Sequence, residues 1–125
     1  WGGRGDKMRV DRSAIDAAKK GSADLFILAL LEEQDLHGYD LARRIEDRSG
    51  ASLSFTLASL YATLYRLEER GLIRGRWVER AGQRRRRYYR ITEPGRRVLT
   101  AERTDWALFV RALVDVAGVQ VAEIR

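Results

Sequence analysis

Four arginines in a row, Arg84, Arg85, Arg86 and Arg87, form the densest chemistry in this sequence. A strand alternates its faces, so four consecutive guanidinium groups put charge on both sides of the ribbon that carries them. That is wasteful inside a fold and useful astride a phosphate backbone, where arginines give affinity or enter the minor groove. Upstream, Ser59, Tyr61, Thr63 and Arg66 offer hydroxyls and a guanidinium from one helical pattern, candidates for contact with base edges in a groove. Arg66 could pair with guanine in the major groove or reach only phosphate. Each feature has a plainer reading: a solvated turn for the arginines, an ordinary amphipathic core helix for the other set. Their adjacency in the chain favours a nucleic-acid reader.

Charge distribution points the same way. The 125-residue chain nets +6, from 24 Lys+Arg against 18 Asp+Glu. Between Arg74 and Arg90 stand eight arginines and one acid, Glu79, a net of +7 that leaves −1 for everything else. Excess cation confined to one hairpin-sized window is an electrostatic footprint for a polyanion. An acidic protein partner gripped by the same basic hairpin is the rival reading. RNA binding lacks support, because Trp77, Tyr88 and Tyr89 are too few to form a stacking platform.

Other chemistries fare badly. The only histidine is His37, there is no cysteine, and no glycine-rich phosphate loop precedes a lysine. The adjacent pairs Glu32-Glu33 and Glu68-Glu69 point to different sides of a helix and cannot share a substrate. Neither an enzyme nor a metal centre is expected, and no cofactor is implied. The longest apolar run, Leu25 to Leu31, is seven residues, too short for a bilayer, and no cleavable signal is visible. The lack of cysteine fits a reducing compartment, so the expected location is the cytoplasm. Hydrophobic residues at 45% suffice for a modest core and are too many for a disordered chain.

The elements that must position these residues follow in order. The opening WGGRGDKMRV stays outside the fold reading; residues 12–20 form a weak lead-in helix, broken at Gly21-Ser22. Ser22 is the expected cap of a helix whose run Leu25 to Leu31 is apolar all round and therefore buried. After a turn at Gln34 to Leu36, His37-Gly38-Tyr39 opens a second helix to about Arg48, with Leu41 and Ile45 inward. Leu53 and Phe55 plug the core from a connector. Thr56 caps the next helix, which carries Leu60, Leu64 and Leu67 as its buried stripe and ends at Gly71. Two helices joined by a short turn after a buried helix make a helix-turn-helix. Residues 74–79 and 84–91 read as two strands of a hairpin, leaning on the helices through Trp77, Tyr89 and Ile91. Thr92 caps a last helix that runs to about Ala117 and stops at Gly118. Its stripe of Leu99, Trp106, Phe109, Leu113 and Val116 has coiled-coil spacing. With the winged unit complete by Ile91, the stripe is expected to be covered by a second copy, and its aromatic pair could flank a flat hydrophobic effector.

The segments HGY at His37–Tyr39, LYRLEERGLI at Leu64–Ile73 and RRRRYYRITEPG at Arg84–Gly95, in this order and spacing, resemble the PadR family of bacterial transcriptional regulators. The likeness spans about residues 19–118. It implies an N-terminal winged helix-turn-helix with a C-terminal dimerisation helix, and a repressor that in many members is released by a small molecule, phenolic acids or cationic drugs among them. It also implies that Tyr39, Ser59, Tyr61 and Thr63 lie where the family touches DNA, and that Trp106 falls where a drug-binding subgroup carries a tryptophan. Ala62 departs from the proline that many members have after the tyrosine. The single long last helix resembles the short subgroup.

The expectation is therefore a mainly α chain with a small β-hairpin. Residues 1–20 are an extension, 21–91 a winged helix-turn-helix, 92–118 a dimerisation helix and 119–125 a tail. Its partners would be a second copy and double-stranded DNA with an inverted-repeat operator. The candidate DNA contacts are Tyr39, Thr56, Ser59, Tyr61, Thr63, Arg66 and Arg84 to Arg87. The candidate dimer and effector residues are Leu99, Trp106, Phe109, Leu113 and Val116.

Overall fold

The computed structural model of the chain describes residues 21–121. The lead-in helix expected over 12–20 and the last four residues of the tail lie outside them. Helix α1 occupies residues 21–33, followed by strand β1 (Leu36–His37), helix α2 (Gly38–Arg48) and helix α3 (Leu57–Glu69). Strands β2 (Ile73–Val78) and β3 (Arg86–Ile91) form the wing, and helix α4 (Glu93–Ala117) closes the order.

The apolar run of α1 lies in the middle of the core, with Ile27 and Leu28 fully buried and Leu31 nearly so. Around it pack Leu41 and Ile45 of α2, Leu60, Leu64 and Leu67 of α3, and Ile73, Tyr89 and Ile91 of the sheet. Leu53 and Phe55 join as half-buried plugs. Gly21 and Ser22, expected as a helix break and a cap, are both helical. A helical glycine costs only about 1 kcal/mol against alanine, less than the burial that α1 gains.

The sheet has three strands, not the two of a bare hairpin, in the order β1-β3-β2 with both pairings antiparallel. Leu36 stands opposite Tyr89 and His37 opposite Tyr88. Two residues are too few to show alternation, so the sequence reads there as a turn. Strand β3 begins at Arg86, which leaves Arg84 and Arg85 in the connection. The sheet buries Ile73, Tyr89 and Ile91 on its inner side and exposes Arg74, Arg76 and Arg90 on its outer side.

Three contacts lock α4 onto this unit. Thr92 Oγ1 donates to the carbonyl of Gly71 at 2.7 Å and accepts from Gly95 N at 3.1 Å. Thr92 N donates to the Leu72 carbonyl at 3.0 Å. Gly95 lies so close that a Cβ there would collide with the Leu72 carbonyl oxygen. Leu99 is fully buried in the chain's own core. The expectation that the α4 stripe is uncovered within its own chain is thus wrong for its first residue. The helix begins under the wing and not beyond it, so its first two turns are covered.

Candidate nucleic-acid interface

Thr56 caps α3 as its position suggests, its Oγ1 accepting from Ser59 N at 3.1 Å. This sets the helix start at the surface, with Thr56, Ser59, Tyr61, Ala62, Tyr65 and Arg66 exposed. Thr63 is the exception. It is 4% exposed, its hydroxyl donates to the Ser59 carbonyl at 3.1 Å, and Arg66 NH2 donates to it at 3.3 Å. A mid-helix threonine commonly bonds back to the preceding turn. Thr63 is therefore turned away from solvent, where it holds the exposed Arg66 guanidinium.

The HGY segment acquires a reason residue by residue. His37 is the N-cap of α2, its Nδ1 accepting from Asp40 N at 3.4 Å. Its Nε2 lies 3.1 Å from Asp40 Oδ2 and 3.4 Å from Arg86 NH1. Burial lowers the His37 pKa, Arg86 lowers it further, and these outweigh the opposing pull of Asp40. Gly38 makes room for the Tyr61 ring, which lies on it: a Cβ would stand 2.5 Å from Cζ and push the ring aside. Tyr39 then projects outward, half exposed, with the Arg43 guanidinium 5.8 Å from its ring centre.

The wing's four arginines divide. Arg84, Arg85 and Arg86 are exposed, whereas Arg87 is half-buried, its NH2 2.6 Å from Glu68 Oε2. Trp77, expected to lean on the helices, is instead 55% exposed, and Arg85 and Arg87 lie 4.7 and 5.6 Å from its ring centre. It lies toward the outer end of the ribbon, past the reach of the core, and the flanking guanidiniums cover it by cation–π contact. Arg76 is paired with Asp35 at 2.7 Å. The +7 window is thereby trimmed, because two of its eight arginines are paired with acids from outside it. A cleft of about 600 Å³ separates Tyr39 and Tyr61 on the helical side from Trp77 and Arg84 to Arg87 on the wing. The arrangement offers cations and aromatic hydroxyls to an anionic ridge passing between helix and wing. Tyr65, 64% exposed, shares the Tyr61 face one turn on, and the nearby Glu69 carboxylate raises its pKa. Sequence reasoning missed it, although the i, i+4 spacing from Tyr61 carried the signal.

Farther along α4 the aromatic pair meets edge to face, Trp106 and Phe109 having centroids 6.0 Å apart. Trp106 and Leu113 are half-buried, Phe109 is 55% exposed and Val116 is 86% exposed. Leu108, Val110 and Val114, which the heptad reading left out, widen the open apolar face. Among the described residues no group of three or more His, Cys, Asp or Glu side chains could hold a metal, and no helix is long and apolar enough to cross a membrane.

A family model described as "Transcriptional regulator PadR-like family" matches residues 27–101. Among solved structures, a transcriptional regulator from Clostridium thermocellum is 30% identical, with a TM-score of 0.71, over 77% of this chain and 90% of that one. A PadR family regulator from Eggerthella lenta, 24% identical, has a TM-score of 0.76 over 92% and 98% of the two chains. Bacillus subtilis PadR, solved in complex with operator DNA, is 22% identical, with a TM-score of 0.57 over 82% of this chain and 49% of that one. The last two likenesses speak for the fold.

Proposed function

The chain belongs to the PadR-like family of transcriptional regulators, which are not enzymes, and on that premise we propose that it is a homodimeric, ligand-responsive repressor that binds operator DNA. The observation that carries this reading is the shared cleft, in which Tyr39 of α2 and Tyr61 of α3 face a wing that exposes Arg84, Arg85 and Arg86, with Ser59 and Arg66 exposed on the same α3 helix. In this reading α3 enters a major groove and the wing arginines rest on the flanking backbone or minor groove. Thr56 and Tyr39 border the helix start and reach phosphate. That the Bacillus subtilis neighbour, of the same fold, is solved in complex with operator DNA supports the DNA-binding reading.

Dimerisation covers the open face of α4 from Trp106 to Val116, and two-fold symmetry calls for an inverted repeat with half-sites about one helical turn apart. A small flat hydrophobic effector is held beside Trp106 and Phe109. Selection of bound duplexes from a random pool tests specificity, symmetry and spacing together. The expected product is an inverted repeat; a pool without enrichment refutes the reading. With about eight to ten phosphates engaged per dimer, log affinity should fall against log salt with a slope near −7 to −9. Replacing Arg84, Arg85 and Arg86 with alanine should weaken all duplexes alike, whereas Arg66→Ala should relax preference at particular base pairs. Trp106 fluorescence in a Trp1→Phe, Trp77→Phe background, titrated with aromatic and cationic compounds, checks the effector.

A further inference from the structure

Glu68 lies in the last turn of α3, and its carboxylate reaches the wing. Oε2 accepts from Arg87 NH2 at 2.6 Å and from the backbone N–H of Gly75 at 3.2 Å. Gly75 belongs to β2 and Arg87 to β3, so one oxygen ties both long strands to the helix proposed to enter the groove. Arg87 gets there by passing over Gly75, where a Cβ would stand 2.5 Å from its Nε. The guanidinium is further held 5.6 Å from the Trp77 ring centre and 5.7 Å from that of Tyr89. Both partners of the ion pair are roughly 30% exposed, 29% for Arg87 and 32% for Glu68, so water screens it less than a surface pair. Its neighbours in the arginine run remain exposed.

We propose that Glu68 is a positioning residue for operator recognition: it fixes the angle between α3 and the wing and withholds Arg87 from phosphate. The inference rests on the DNA-binding reading above. It has a consequence opposite to that of an ordinary structural contact. Neutralising Glu68 loosens the wing, which weakens the one operator whose spacing fits the fixed angle. The same change frees a guanidinium, which strengthens binding to any duplex. Specificity collapses from both sides.

The test uses the full chain, wild type and Glu68→Gln, with fluorescence anisotropy on the selected operator and on a random duplex at several salt concentrations. E68Q should bind the operator about tenfold more weakly, the loss of one charge-assisted tie. It should bind the random duplex more tightly, with a salt slope steeper by about 1 per subunit. Arg87→Gln breaks the same tie without releasing a cation, so it should weaken the operator and leave the random duplex no tighter. Gly75→Ala keeps both charges and blocks the crossing, so it should reproduce E68Q. A thermal melt accompanies each variant. Equal specificity ratios for wild type and E68Q overturn the assignment. So does a loss of affinity for both duplexes in parallel with a fall in melting temperature. A wild-type chain indifferent to every duplex overturns the DNA reading itself, and this inference with it.

Discussion

The two ends of α4 draw on similar residues and have opposite surroundings. At its start, Gly95 and Leu99 are buried and Thr92 is bonded to Gly71 and Leu72. Beyond Asp105, Leu108, Phe109, Val110 and Val116 lie at the surface. From Leu99 to the end of the helix is roughly 27 Å at 1.5 Å per residue, a rod that outruns the winged unit. An apolar stripe therefore says that something must cover it and not what. The near end is stabilised within the winged unit; among the described residues nothing covers the far end.

The sharpest way to break the contrast is Gly95→Ala. Its Cβ meets a backbone oxygen that cannot swing aside, so a loss of about 3 kcal/mol or more is expected in urea unfolding. Leu99→Ala should cost about 2–5 kcal/mol and shift the monomer's melting temperature. Phe109→Ser should leave the subunit's own stability within about 0.5 kcal/mol while lowering the association constant in sedimentation. Were Phe109→Ser to destabilise the isolated subunit as Leu99→Ala does, the two ends would not differ. Thr92→Val removes a cap and a bond to Gly71 together, and about 1–2 kcal/mol should be lost.

Glu102, at the boundary between the two ends, gives the smallest effect. Its Oε1 is enclosed with no hydrogen-bond partner among the described residues, and burial is the leading reason its pKa rises above 4.5, with Asp24 and Asp105 adding and Arg70 opposing. The folded carboxyl thus holds its proton to higher pH than the unfolded one. Stability from this group is full below about 4.5 and declines as pH rises through the folded value. Glu102→Gln should flatten that part of the stability curve and raise the melting temperature slightly at neutral pH. A variant curve parallel to wild type would remove Glu102 from the account.

Much of the fold was legible because its signals are local. Thr56 and Thr92 announce their caps by type and position, Gly71 its left-handed turn (φ +75°), and the run from Leu25 to Leu31 its burial. The candidate site was legible as a composition and not as an arrangement. Nothing in four identical arginines distinguishes Arg87, bound to a carboxylate nineteen positions back, from its exposed neighbours. Thr63 has the type of a groove contact but is buried, its hydroxyl bonded back to Ser59. Strand β1 exists only because Tyr88 and Tyr89 lie beside it.

Period, capping chemistry and the clustering of guanidinium groups were enough to establish a winged helix-turn-helix with a basic hairpin, because each acts within a few residues of chain. Which arginine is neutralised, which threonine is buried and where α4 leaves its own core depend on distances between segments remote in sequence. Those are set by packing, and only the folded chain supplies them.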